Sequence, residues 1–253
     1  MNSPSPVIRR SSFLGLDFDA LDQSGAAAAV LTLALGDTFA YVVTPNVDHL
    51  VRLHRRQNDF ALWSAYREAT LCLCDSRVVL ALARGSQLEL SLVTGSDLTA
   101  RLLCDGDMQS AAVIGGDARL LNDLAAKYPH VRFFHHLAPG GILHNPQAQV
   151  EVAKFVESCS ARVYFFAVGA PQSELICALI RQRGKATGVG LCVGASLEFL
   201  TGLKRRAPQW MQRAGLEWLF RLASEPARLW RRYLLEGPAI FRVWWRWRVN
   251  SSR

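Results

Sequence analysis

Short apolar runs that end in turn or polar residues alternate with helix-length segments along this chain, and this alternation limits the possible folds more than any other feature. The run at 38–44, TFAYVVT, has no polar residue between its end threonines and lies between two helical segments. A strand without a polar face is buried on both sides, as parallel strands are when helices cover both faces of the sheet. Runs at 70–76 (TLCLCDS), 111–118 (AAVIGGDA), 131–137 (VRFFHHL) and 162–168 (RVYFFAV) repeat the pattern, and 187–202 supplies the last strand. Residues 13–18 read as a short first strand and 19–35 as an alanine-rich helix ended by Gly36. Helices are predicted over 59–69 and 77–84. The fold class is therefore α/β, with a mostly parallel sheet and helices on both faces.

At 253 residues the chain is long enough for one large domain with an appendage. Its net charge of +8 is not evenly spread. From residue 201 onward twelve Lys and Arg face only Glu217, Glu225 and Glu236, and six of the seven tryptophans lie there too, so the rest of the chain is close to neutral. Cations interleaved with indoles fit an interfacial membrane anchor, in which Trp244, Trp245 and Trp247 with Arg242, Arg246 and Arg248 rest among headgroups. A solvated basic helix face and a nucleic-acid surface are the alternatives. The start, MNSPSPVIRRSS, is polar, and the apolar stretch 26–35 is too short to span a bilayer, so a cytoplasmic protein is expected. The six cysteines lack zinc-finger spacing and are expected as free thiols, with Cys72 and Cys74 on one face of a strand as small buried hydrophobes.

Several polar residues fall where such strands end. In TPNVDHLV, 44–51, Thr44 closes a strand, Pro45 fixes the backbone and Asn46 opens a helix, either as its N-cap or as a ligand group at the sheet's carboxyl edge. His49 and His54 are assigned to the helix surface. Asp75 closes the next strand, as a general base or as N-cap of 77–84. Ser96 or Asp97 is the expected cap of the helix after VTG, 93–95. The segment VGAPQSE, 168–174, is a turn into a helix whose first amides can meet a diphosphate. Gly190 and Gly194 permit close backbone approach. Glu198 can accept from ribose hydroxyls or sit on a helix surface. The chain has no GxGxxG, which sets NAD and FAD aside; no cofactor or metal is expected.

The tail wording KRAPQW, GLEWLFRL and EPARLWRRY resembles the C-terminal signature of the WecG/TagA/CpsF family, glycosyltransferase family twenty-six, and the likeness extends over about residues 13 to 235. It implies a Rossmann-like catalytic domain over 1–202 and a basic, Trp-rich helical appendage over 203–253 that contacts membrane and active site. It also implies sugar transfer from a UDP-sugar to an undecaprenyl diphosphate-linked saccharide at the cytoplasmic face of the inner membrane, for exopolysaccharide or another surface glycan. UDP-glucose is the preferred donor reading; N-acetylmannosamine and its uronic acid are the alternatives within the family. By position, Asp75 becomes the catalytic base, with Thr44 and Asn46 beside the reacting sugar. Gly140, Gly169, Pro171, Gln172, Ser173, Glu174 and Glu198 fall on the donor side. Arg221, Arg228 and Arg231 take the diphosphate, on one face if the helix continues through Pro226. Three positions depart from the family pattern: Ser76 replaces Gly, Leu92 replaces Arg before VTG, so that Arg101 or the tail must supply a cation, and Ser173 replaces Gln. The enzyme is expected to bind no nucleic acid and to be capable of homo-oligomer formation. The rival classes are a basic nucleic-acid-binding protein and a noncatalytic membrane scaffold.

Overall fold

The computed structural model describes residues 9–251. The polar first eight residues and, in the basic tail, Ser252 and Arg253 lie outside the described residues. Residues 13–18 do not form one strand. β1 (Arg10–Phe13) and β2 (Leu16–Asp19) pair as an antiparallel hairpin with Phe13 opposite Leu16. The turn residues Leu14 and Gly15 both take positive φ, 52° and 82°, the primed turn whose twist suits a two-residue hairpin loop. Leucine is a poor turn residue, but its side chain here is fully buried, and that burial offsets the cost of its backbone conformation.

The rest of the body alternates strand and helix. In order come α1 (Gln23–Ala34), β3 (Ala40–Val43), α2 (Val47–Arg55), α3 (Phe60–Arg67), β4 (Leu71–Cys72), α4 (Arg77–Arg84), α5 (Gly95–Leu103), β5 (Ser110–Ile114) and α6 (Ala118–Lys127). They are followed by β6 (Arg132–His136), α7 (Pro146–Ser158), β7 (Val163–Phe166), α8 (Gln172–Arg183), β8 (Val189–Cys192) and α9 (Ser196–Thr201). β3 to β8 form one parallel sheet in the order β4-β3-β8-β7-β5-β6, so the last strand is inserted at the centre. Successive residues of a strand face opposite layers. Tyr41, Val43, Tyr164 and Phe166 thus join one core with Cys72 and Cys74, while Val42, Val113, Phe165 and Leu191 join the other. The six cysteines are free.

The central strand tolerates no side chain at Gly190. A Cβ there would lie 2.8 Å from a Phe39 ring carbon and 2.9 Å from one of Phe166. Gly190→Ala is expected to destabilise the fold by about 1–3 kcal/mol in urea denaturation, the usual cost of overpacking.

The tail carries α10 (Gln209–Arg213), α11 (Glu217–Ser224), α12 (Pro226–Trp230), a π-helical turn at Arg231–Glu236 and α13 (Ala239–Ser251). It is fastened to the body by ion pairs Arg206–Asp97 (2.6 Å), Arg232–Asp48 (3.3 Å) and Arg55–Glu236 (3.4 Å). Helix α13 packs back onto the body: Ile240 is buried, Trp244 Nε1 donates to Ser86 Oγ at 2.8 Å, and Trp247 meets Phe13 edge-on at 4.9 Å. Trp244 and Trp247 are therefore half-buried packing residues, contrary to the headgroup placement expected of all three terminal tryptophans. Trp245 remains 63 % exposed. Among the described residues no helix is long and apolar enough to cross a membrane.

Candidate active site

A cleft of about 730 Å³ opens over the carboxyl ends of β3, β4, β7 and β8 and is roofed by the tail. In parallel α/β sheets this edge is where ligands bind, because the strands end there and helix N-termini face inward. Thr44, after β3, donates from Oγ1 to the Cys192 carbonyl at 3.2 Å, tying the two central strand ends together. Asn46 accepts the Asp48 amide at 3.0 Å and so caps α2, and it also lines the cleft.

Asp75, after β4, is not a cap. Ser76 takes that role, its Oγ accepting the Val79 amide at 3.3 Å, so the serine that departs from the family pattern has a local structural use. The Asp75 carboxylate is left to face the cleft, where it accepts the Gly95 amide. Gly95 opens α5, whose cap is Thr94 and not Ser96 or Asp97. A Cβ on Gly95 would stand 3.2 Å from Ser196 Oγ, 3.4 Å from Thr44 Oγ1 and 3.8 Å from Asp75 Oδ2. Three oxygen groups from three strand ends converge there, and the glycine leaves them room. Burial pushes the Asp75 carboxyl up to about 7, against the opposing pull of Arg221 and the Gly95 amide. A carboxyl balanced in this way can take a proton at neutral pH.

On the donor side the turn at Gly169 (φ 77°) and Ala170 lines the cleft. Ser173 lines it too, but its hydroxyl donates back to the Gly169 carbonyl at 3.0 Å. Burial pushes the Glu174 carboxyl up to about 7, and the Tyr66 hydroxyl donates to it from behind. Its Oε2 is buried without a partner. Glu198 lines the cleft bound to Lys204 at 2.6 Å. Pro171 and Gln172 do not reach the lining, although the Gln172 Oε1 is buried and unpartnered. Gly140 is also outside: it follows β6, the edge strand, and β7 and β5 stand between it and β8.

Arg221 and Arg228 line the cleft, whereas Arg231 is exposed and does not. Pro226 begins a new helix, so the phase is set from Arg228, and the residue four further on, Arg232, faces inward. The Nε atoms of Arg221 and Arg232 are buried with no acceptor, as is that of Arg206. A buried guanidinium N–H without an acceptor carries an unrecovered desolvation cost, and its planar fork matches the oxygens of a phosphate. Arg101 is exposed and off the cleft, so the tail supplies the cations near VTG: Arg206 pairs with Asp97 and Arg221 faces Asp75.

Three further lining residues, Asp48, His49 and Arg52, come from α2. His49 is not a surface histidine: it is half-buried against Tyr66, and burial lowers its pKa to about 3, which keeps it neutral. His54 likewise packs on Trp63, its Nε2 bonded to the Leu14 carbonyl at 3.0 Å. Arg52 donates to Asp48 at 2.9 Å and to the Ala170 carbonyl at 2.6 Å, joining α2 to the donor-side turn. The i,i+4 Asp–Arg pair directly after TPN is the sequence signal that could have found them. Among the described residues no group of three or more His, Cys, Asp or Glu is arranged to hold a metal. The sequence model described as the glycosyl transferase WecG/TagA/CpsF family matches residues 11–253.

Proposed function

Because this chain belongs to the WecG/TagA/CpsF glycosyltransferase family, we propose that its cleft moves a sugar, with inversion, from a UDP-sugar to an undecaprenyl diphosphate-linked saccharide. As a glycosyltransferase the enzyme uses a sugar-nucleotide donor and a glycan acceptor. The observation that carries the finer reading is the Asp75 carboxyl, titrating near neutrality beside Thr44 and facing Arg221. Asp75 takes the proton of the acceptor hydroxyl as that oxygen attacks the anomeric carbon. The bond from that carbon to the donor phosphate breaks on the opposite side, and the electron pair leaves with UDP. Arg221, Arg228 and Arg232 stabilise the charge that develops on the diphosphate. Thr44 and Asn46 orient the sugar. The enzyme works at the cytoplasmic face of the inner membrane, where its acceptor lies, in the synthesis of exopolysaccharide or a related surface glycan.

UDP-glucose is the donor we favour, with UDP-N-acetylmannosamine and its uronic acid next. The direct test incubates purified protein with each UDP-sugar and with undecaprenyl diphosphate-linked glucose or N-acetylglucosamine. Formation of one disaccharide-lipid with inverted anomeric configuration supports the reading; no transfer from any UDP-sugar to either acceptor sinks it. The nucleic-acid alternative is disfavoured because Arg205, Arg221, Arg228 and Arg232 converge on one cleft at the carboxyl edge of the sheet and are not spread along a groove with interleaved aromatics. With arginines supplying the positive charge, turnover is expected to persist in excess EDTA. Loss of activity there, restored by magnesium or manganese, would contradict the charge assignment.

A further inference from the structure

On the α2 side of the cleft, His49 Nδ1 and Glu174 Oε2 are closed off from solvent and have no hydrogen-bond partner among the described residues, yet both side chains belong to the cleft lining. Neither takes part in the sugar transfer described above. Tyr66, a buried residue of α3, stands against both: its ring meets the His49 ring edge-on at 5.9 Å, and its hydroxyl donates to the Glu174 carboxyl. That anchor leaves one oxygen of Glu174 over. The arginines beside the pair, Arg52 and Arg232, are engaged. Arg52 gives its two terminal nitrogens to Asp48 at 2.9 Å and to the Ala170 carbonyl at 2.6 Å, and Arg232 reaches Asp48 at 3.3 Å and is assigned to the diphosphate. The His49 imidazole is neutral, because burial disfavours its charged form.

We propose that His49 and Glu174 form a specificity-determining subsite that takes hydroxyl groups of a neutral donor sugar and turns away a hexuronate. A buried polar atom without a partner carries a desolvation cost, and a ligand hydroxyl placed against it offsets that cost. A sugar hydroxyl both donates and accepts, so it pairs with either tautomer of a neutral imidazole and with either protonation state of the carboxyl. A uronate carboxylate only accepts. Here it would meet Glu174 and Asp48, with both neighbouring arginines already committed, and like charges in a buried site repel. His49 lies three residues along α2 from Asn46, on the same side of the helix, which puts the subsite beside the residue assigned to orient the sugar. The inference rests on the UDP-sugar reading above and deepens it. Glucose and N-acetylmannosamine are compatible with the subsite, and N-acetylmannosaminuronic acid is not.

The test is calorimetric titration of the full chain with UDP, with UDP-glucose and UDP-N-acetylmannosamine, and with the uronate of each. UDP alone reports the nucleotide and diphosphate contacts, so affinities taken relative to UDP isolate the sugar. The parent is expected to bind its better neutral UDP-sugar about tenfold or more tightly than the matching uronate. His49→Leu and Glu174→Leu should each weaken binding of that neutral UDP-sugar about tenfold more than binding of UDP, the loss of one hydrogen bond. Glu174→Gln keeps an accepting oxygen and should retain most of the preference. A residue that only packs would move the UDP arm and the sugar arm together, which would overturn the proposal. Equal affinity of the parent for the neutral sugar and its uronate would overturn it too, even if the leucine variants fail to fold. Absence of UDP binding by the parent is a separate failure, since it removes the UDP-sugar reading itself and the subsite with it.

Discussion

Asp75→Asn is expected to lower sugar transfer by about a hundredfold to ten-thousandfold, the usual cost of removing a general base, while making the protein more stable at neutral and alkaline pH. The two effects have one origin. Burial holds the Asp75 carboxyl up to about 7, above the range of an exposed aspartate, so the folded chain binds this proton more tightly than the unfolded chain does. Its contribution to stability is complete below the unfolded pKa and is lost as pH rises through about 7. The asparagine variant does not suffer that loss. Its melting temperature should match the parent's in acid, then exceed it by a margin that grows toward pH 7 and levels off above. Glu174, raised to about 7 by the same cause, stays in both proteins, so both curves still decline with pH. A variant that loses activity and stability together would indicate that Asp75 is a packing residue.

Removing charge from the roof of the cleft should have the next largest effect. Arg221→Gln and Arg232→Gln are each expected to reduce turnover by about 10²–10³-fold, comparable to deleting one preorganised donor at a developing anion. The buried Nε of each has no acceptor in the protein, so little folding stability is at stake in that atom. Arg232 also pairs with Asp48 at 3.3 Å, so its loss should loosen the tail as well. Arg231→Gln, one residue away and exposed, should stay near parental activity. Equal losses at 231 and 232, measured with saturating donor and acceptor, would mean that the arginines act through bulk charge and not through cleft geometry.

What was readable in the sequence followed short-range physics. Unbroken apolar runs such as 38–44 announced buried parallel strands, and polar residues at their ends announced the cleft, so Thr44, Asn46 and Asp75 came together as expected. What was not readable depended on strand order or helical phase. Gly140 falls on the donor side by resemblance alone, but β6 lies at the sheet edge and carries it away from the cleft. Arg231 and Arg232 are indistinguishable by composition, and only the restart of the helix at Pro226 selects the second. His49 was hidden because a histidine next to charged Asp48 reads as surface, whereas α2 turns that face into the cleft. The hairpin at Leu14 and Gly15 was missed because a fully buried leucine occupies a turn position usually given to Asn, Asp or Gly. The family match over residues 11–253 supplies the reaction, which neither periodicity nor strand-end polarity could give.

The most direct test of Asp75 as the base in this cleft is the pH dependence of kcat/KM for transfer, compared between the parent and Asp75→Asn. The parent should show an acid limb in which the rate rises about tenfold per pH unit and levels off above about 7, while the variant's residual rate lacks that limb. A parental profile that is flat across this range, or the same limb in the asparagine variant, would contradict the assignment.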